Sequence, residues 1–318
     1  MKEGIFIYPE ILGIGHCCQD NICIIEDYPK EDSSTHILNI DDTQGGGAVA
    51  TALVAAAKLG TGAGIIANIG SDEIGEKILE GFHRSGVCTD LVSRIQDGRS
   101  SSSFVMVNSK NGSRTKFPYR DDLPDIQFGG EIKEGFSHAK ILHLDGTQYS
   151  NAIRGAKLAK EMGLTVSLDA CSVQKDNRKN IELASLVDIL ITNAKYPCRV
   201  TGETDIGKAL FKLSALGPSI VVATAGNDGC YWVNGSEIIH FPVYPVKVVD
   251  STGAGDTFHG AFLSQWLRDK NIANCLQFAT AVSTLKCQKY GGRAGIPTRG
   301  ETEEFIGKLP SLKGEVAL

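Results

Sequence analysis

The chain reads as an α/β protein: a doubly wound, mainly parallel sheet with helices on both faces, plus a small β-sheet lid. Three observations carry this reading. From Ala139 onward short apolar runs alternate with helical patterns, which specifies βαβ units and a parallel sheet. Two pairs of β-rich pieces, with no helix inside either pair, lie earlier, in segments 17–44 and 97–122. At 318 residues and 42% hydrophobic, the chain can bury a large core.

Taken in order, ILGIG (11–15) is a first strand, and NICIIEDYP and THILNID are two lid strands before the helix GGGAVATALVAAAKLG (45–60). SSSFVMVNS and SRTKFPYR flank Lys110-Asn111-Gly112, where Asn-Gly marks a hairpin. Then AKILHLD reads as strand, SNAIRGAKLAKEMG as helix stopped by Gly163, and LTVSLDA and LVDILIT as strands. The β-branched run Val243 to Val249 reads as another strand. From Asp256 onward Phe258, Phe262 and Trp266 share one helical face. With no internal repeat and no low-complexity stretch, the chain reads as a single domain, 1–318, with an inserted lid.

Composition excludes several function classes. A balance of 32 basic against 37 acidic residues gives a net charge of -5, which argues against nucleic acid as a partner. No apolar run approaches the roughly 18 to 20 residues of a membrane span, and MKEGIFIYPE lacks a secretory h-region, so a cytoplasmic protein is expected. Nine cysteines without a C-x-x-C pair read as reduced thiols, and seven histidines lack zinc spacing.

The run DSTGAGDTFHGAF (250–262) puts a glycine turn between an expected strand and a helix. Gly253, Ala254 and Gly255 expose backbone N–H groups where a helix begins, a concave donor site suited to phosphate. Asp256 falls in the first helical turn, where an ionised carboxylate can take a proton from a bound hydroxyl. Local chemistry alone equally allows a plain turn and a plain cap.

DSTGAGDTF resembles the C-terminal signature D-[TS]-T-G-A-G-D-x-F of the ribokinase-like, or PfkB, family of carbohydrate kinases, matching every position. The resemblance extends from about residue 10 to 310. It implies that Gly253, Ala254 and Gly255 form the anion hole for the transferring phosphoryl group and that Asp256 is the catalytic base. It further implies that Asp250 and Thr252, with backbone groups near Gly291 and Gly295, hold a structural monovalent cation, K+ being the candidate.

Two further family features lie in the N-terminal half. Gly15-His16-Cys17-Cys18-Gln19-Asp20 places an aspartate in register to bind substrate hydroxyls, with Cys18 where many members carry asparagine. Gly45, Gly46 and Gly47 open a helix as the family's substrate loop does, with Ala50 replacing the usual asparagine. On the nucleotide side, Asn193 matches the family's N-x-x-E, but Tyr196 replaces the glutamate, which leaves magnesium placement open and Lys195 as a phosphate neutraliser. VVATAGNDGCYW resembles the family's V-T-x-G-x-x-G strand end, which implies that Thr224, Gly226 and Gly229 flank the nucleotide and that the helix through Ala279 and Ser283 and the loop 291–297 close over its base.

The expected activity is ATP-dependent transfer of a γ-phosphoryl group to a primary hydroxyl of a sugar (ribose, fructose or a related ketose, including an acidic derivative), with ATP and Mg2+ as cofactors. A nucleoside kinase of the same family and a sugar or nucleotide sensor without turnover are the alternatives. Arg99, Arg114, Lys116 and Arg120 are either solvated lid faces or readers of an anionic group. A dinucleotide fingerprint fails because Cys18 stands where its third glycine belongs, and no Walker sequence occurs. Exposed apolar lid edges suit a homodimer that buries lid against lid.

Overall fold

A computed structural model describes residues 8–120, 122–171 and 173–317. The opening MKEGIFI, read above as lacking a leader, and Asp121 of the lid segment 97–122 lie outside the described residues. The elements follow in chain order. The first stretch holds β1 (Ile11–Ile14), β2 (Cys18–Ile25), β3 (Ile37–Gly46), α1 (Ala48–Lys58), β4 (Ala63–Gly70), α2 (Glu73–Arg84) and β5 (Cys88–Ile95). Next come β6 (Ser102–Asn108), β7 (Arg114–Tyr119), α3 (Gly130–His138), β8 (Ile141–Leu144), α4 (Tyr149–Glu161), β9 (Thr165–Ala170) and α5 (Asn177–Ser185). Then β10 (Ile189–Asn193), α6 (Tyr196–Thr201), α7 (Ile206–Ser214), β11 (Ile220–Thr224), β12 (Cys230–Asn234) and β13 (Glu237–Phe241) complete the central part. The chain closes with α8 (Ala254–Trp266), α9 (Ile272–Lys286), α10 (Arg299–Gly307) and β14 (Glu315–Val316).

Ten strands form one sheet in the order β14-β13-β12-β11-β10-β9-β8-β1-β4-β5. From β11 to β5 every neighbouring pair is parallel, and β12 to β14 add an antiparallel edge. Successive residues serve opposite faces, as strand geometry demands. Ile189, Ile191 and Val222 join the core under α1, α8 and α9, while Leu190, Val221 and Ala223 join the core under α4, α6 and α7. Near-continuous apolar strands are therefore what a sheet covered on both sides requires. Helix starts are set by side-chain caps: Asp72 on α2, Asp176 on α5, Asp205 on α7, and a capping box of Thr298 and Glu301 on α10. Gly260 permits the closest helix contact, since a Cβ there would lie 2.0 Å from Ala52 O of α1.

The remaining four strands form a separate sheet in the order β3-β2-β6-β7. The hairpin of β6 and β7 turns at Asn111-Gly112, with Gly112 at φ 69°. Register fixes what each face carries. Asp20 pairs with Ser103, and Val105 with Lys116, so Asp20, Ser103, Lys116 and Arg114 share one face; Phe104 and Phe117 pair on the other.

Two local expectations change. Val243 to Val249 forms no strand: Pro242 and Pro245 lack N–H donors, and Val249 N and Asp250 N donate instead to Cys287 O. Gly45 and Gly46 end β3 rather than open the helix, which starts at Ala48 after Gly47 at φ 100°. No described helix is long and apolar enough to cross a membrane, and Cys18, Cys23, Cys88, Cys198, Cys230, Cys275 and Cys287 are free of disulfides.

Candidate active site

The turn from Asp250 to Gly253 feeds directly into α8. Asp250 Oδ1 accepts from Thr252 N and Thr252 Oγ1 at 2.8 and 2.7 Å, and Oδ2 accepts from Gly291 N at 2.9 Å. Burial opposes its ionisation, but these hydrogen bonds outweigh burial and hold the Asp250 carboxyl below its ordinary pKa. Gly253 caps the helix at φ 72°, and a Cβ there would meet Gly292 O at 2.6 Å. Thr257 N reaches back to Gly253 O, so the N–H groups of Gly255 and Asp256 ahead of it lack intrahelical acceptors. This is a donor cluster at the positive end of a helix dipole.

On one side of that turn lies a cavity of about 680 Å³. Thr224, Gly226, Gly229, Ala254, Gly255 and Ser283 all line it. Ala279 does not. It is fully buried in the core, because residues 280, 283 and 284 of α9 face the cavity and position 279 turns away from it. Asn193 ends β10 beside Thr224 but is not in the cavity wall; its Oδ1 accepts from the backbone N–H groups of Lys195 and Tyr196. Tyr196 is 2% exposed, and burial pushes its phenol up to about 12. No carboxylate therefore stands where the family's glutamate is expected. Among the described residues no group of three or more His, Cys, Asp or Glu could hold a metal ion.

On the other side of the turn are Asp256 and the inner face of the small sheet. Gly46 lies against Asp20, where a Cβ would come within 2.5 Å of its Oδ2, and Arg293 lies against Gly45. Arg293 donates to Gly46 O at 2.8 Å and to Thr51 Oγ1 at 3.2 Å. Cys18 Sγ donates to Asp20 Oδ1 at 3.6 Å, and Ala50 is buried in α1. Burial raises the Asp20 pKa, while Lys116, Cys18 and Arg293 counter it. Asp256 is pushed up to about 7 by burial and by Asp169, against the pull of Arg293 and Lys116. Ser103 Oγ, beside Asp20 on the same face, is buried and has no hydrogen-bond partner among the described residues.

Sequence reading missed Asp145 and Asp169. Both are at most 2% exposed, at the carboxyl ends of neighbouring parallel strands β8 and β9. Asp145 Oδ2 accepts from His16 N, and Oδ1 from Thr147 N. The signal was present, since open α/β sheets build sites outside the carboxyl ends of their strands. Lys286 was also missed. It is fully buried, and its Nζ donates to Asp250 O at 2.9 Å.

The four residues expected to hold a monovalent cation do come together, but they do not fit a resident metal. The Asp250 carbonyl receives Lys286, its carboxylate receives Thr252 and Gly291, and Arg114 from β7 reaches both Asp250 and Thr252. Gly295 packs against Lys286 O, where a Cβ would lie at 2.4 Å.

The model of the pfkB family of carbohydrate kinases matches residues 9–299. A nucleoside kinase of Methanothermobacter thermautotrophicus is 26% identical over 294 residues, covering 92% of this chain and 94% of that one. The structure of Arabidopsis thaliana ribokinase complexed with ribose and ATP superposes with a TM-score of 0.83 at 28% identity, covering 94% and 98% of the two chains. A putative ribokinase II from E. coli, in complex with ATP and Mg2+, superposes with a TM-score of 0.82 at 20% identity, covering 95% and 100%, a likeness of fold.

Proposed function

The chain belongs to the pfkB family of carbohydrate kinases, phosphotransferases with an alcohol group as acceptor, and from that premise we propose that it phosphorylates a primary hydroxyl of a sugar with ATP. One observation carries the reading: the glycine turn at the start of α8 separates a cavity of nucleotide size from a face bearing Asp20 and Asp256. Thr224, Gly226, Gly229 and Ser283 border the nucleotide, and Asn193 stands next to them. At the Gly253-Ala254-Gly255 turn the N–H groups of Gly255 and Asp256 face the phosphoryl group in transit, while the Ala254 N–H is held by Ser251 O. Asp20 and the Gly45 to Gly47 segment orient the acceptor, and Asp256 collects its proton. Bound together with the nucleotide, magnesium would supply charge neutralisation at the phosphates, since no group of three or more His, Cys, Asp or Glu among the described residues could hold it. The small sheet covers the acceptor and excludes water.

An acidic sugar derivative is favoured over a neutral one. Lys116 and Arg293 both stabilise Asp20 and Asp256 electrostatically, and neither makes an ion pair with a carboxylate among the described residues. The nucleoside kinase relative keeps nucleosides in the test. Phe104, Phe117, Tyr119 and Ile40 are exposed on the outer face of the small sheet, which supports a homodimer joined through that face.

The test is ADP release from ATP and Mg2+ with a panel of ketoses, pentoses, their phosphates and sulfonates, and nucleosides. Turnover that drops by about a thousandfold in Asp256→Asn supports the kinase reading. Ligand-induced thermal shifts without any ADP would instead make this chain a sensor.

A further inference from the structure

The loop that positions the phosphoryl-binding turn has a cation of its own. Lys286, at the last turn of α9, is 0% exposed. Its Nζ lies 2.9 Å from Asp250 O, the carbonyl of the residue whose carboxylate organises Thr252 and Gly291. A buried ammonium is costly unless it meets acceptors, and here it meets a backbone carbonyl next to an ionised carboxylate. Three further contacts fix this arrangement. Gly291 N points a donor at the same carboxylate, Arg114 brings a second cation to it from β7 at 3.4 Å, and Gly295 allows the backbone to close on Lys286 O. A compact ammonium and K+ are both monovalent and both satisfied by carbonyl oxygens, so one can stand for the other.

We infer that Lys286 is a positioning residue whose ammonium serves as the built-in monovalent cation of this active-site loop, and that the protein works without K+. The inference deepens the proposed kinase function and rests on it for the activity readout. Lys286 does not touch the acceptor or the transferred group in this account. It holds Asp250 and, through Asp250, the Thr252 to Gly255 turn in the shape that presents N–H groups.

The experiment compares ADP formation in KCl and in choline chloride at equal ionic strength, for the parent and for Lys286→Ala. The parent should differ between the two salts by less than about twofold, whereas the variant should lose about tenfold or more in choline chloride and recover with KCl or NH4Cl. Thermal unfolding supplies a second readout that needs no turnover: added KCl should raise the midpoint of the variant and leave that of the parent unchanged relative to choline chloride. Rescue by a small cation is not what loss of a merely structural side chain would give. The inference is overturned by strong K+ activation or K+ stabilisation of the parent, or by a folded variant equally inactive in every salt. Should Lys286→Ala not fold, the two measurements on the parent still decide. If no acceptor yields ADP, the kinase reading fails while the thermal comparison still judges Lys286.

Discussion

His259 Nε2 lies 3.4 Å from Asp169 Oδ1, and His259 sits one helical turn beyond Asp256 on α8. Burial pushes the His259 imidazole down to about 3, so it stays neutral beside Asp169. Asp169 is raised by burial and then by Asp145, and its own charge in turn raises Asp256. Activity should therefore rise with pH through an acid limb near neutrality, because a protonated Asp256 cannot accept the hydroxyl proton. The groups that set this limb are Asp169 and Asp145, which raise it, and Arg293 and Lys116, which lower it. Asp169→Asn should move the limb to lower pH, read as kcat/KM against pH. A limb that stays in place would show that Asp169 does not act on the base.

The same carboxyl has a cost in stability. Its folded pKa lies above the unfolded value of 3.8, so the native state binds more protons between about pH 4 and pH 7, and stability falls as pH rises through that window. Asp256→Asn removes this term. The variant should be more stable than the parent by on the order of 1 kcal/mol at about pH 8, and the difference should vanish near pH 4. Paired urea titrations at the two pH values measure it.

Gly253 is held at φ 72° with Gly292 O in the path of any Cβ. Gly253→Ala should destabilise the fold by about 1 to 3 kcal/mol and slow turnover more than it weakens acceptor binding, since it distorts the N–H cluster. Thermal unfolding together with a split of kcat from KM tests this. Loss confined to KM would contradict the placement of the turn.

Phe104 and Phe117 are cross-strand partners at 50% and 55% exposure on the outer face of the small sheet. Replacing Phe104 by Asp puts a charge at the centre of the proposed subunit contact. Light scattering should then give a monomer mass where the parent gives a dimer. A parent that is monomeric at all concentrations would remove the homodimer from the account.

The α/β alternation and the small sheet were legible because period-two patterns, the Asn-Gly turn and Gly163 are local signals. The glycine turn before α8 was legible for the same reason. Val243 to Val249 misled because β propensity ignores the missing donors of Pro242 and Pro245. Ala279 was misplaced by one position, which on a helix is a turn of about 100° and exchanges cavity for core. Asp169, His259, Arg293 and Lys286 escaped because their roles come from contacts between residues distant in the chain. Lys286, for instance, reads locally as a last-turn cation of α9, and only the packed structure puts it under Asp250.

Gly260 has a consequence beyond packing. Its missing side chain lets α1 rest directly on the helix that bears Asp256, and α1 itself continues from β3 through Gly47 with no loop between them. The small sheet, Gly47 and α1 are thus one unbroken stretch of chain that rests, at Ala52, on the helix carrying Asp256. Any larger residue at 260 would therefore have to displace α1 and, with it, the end of β3.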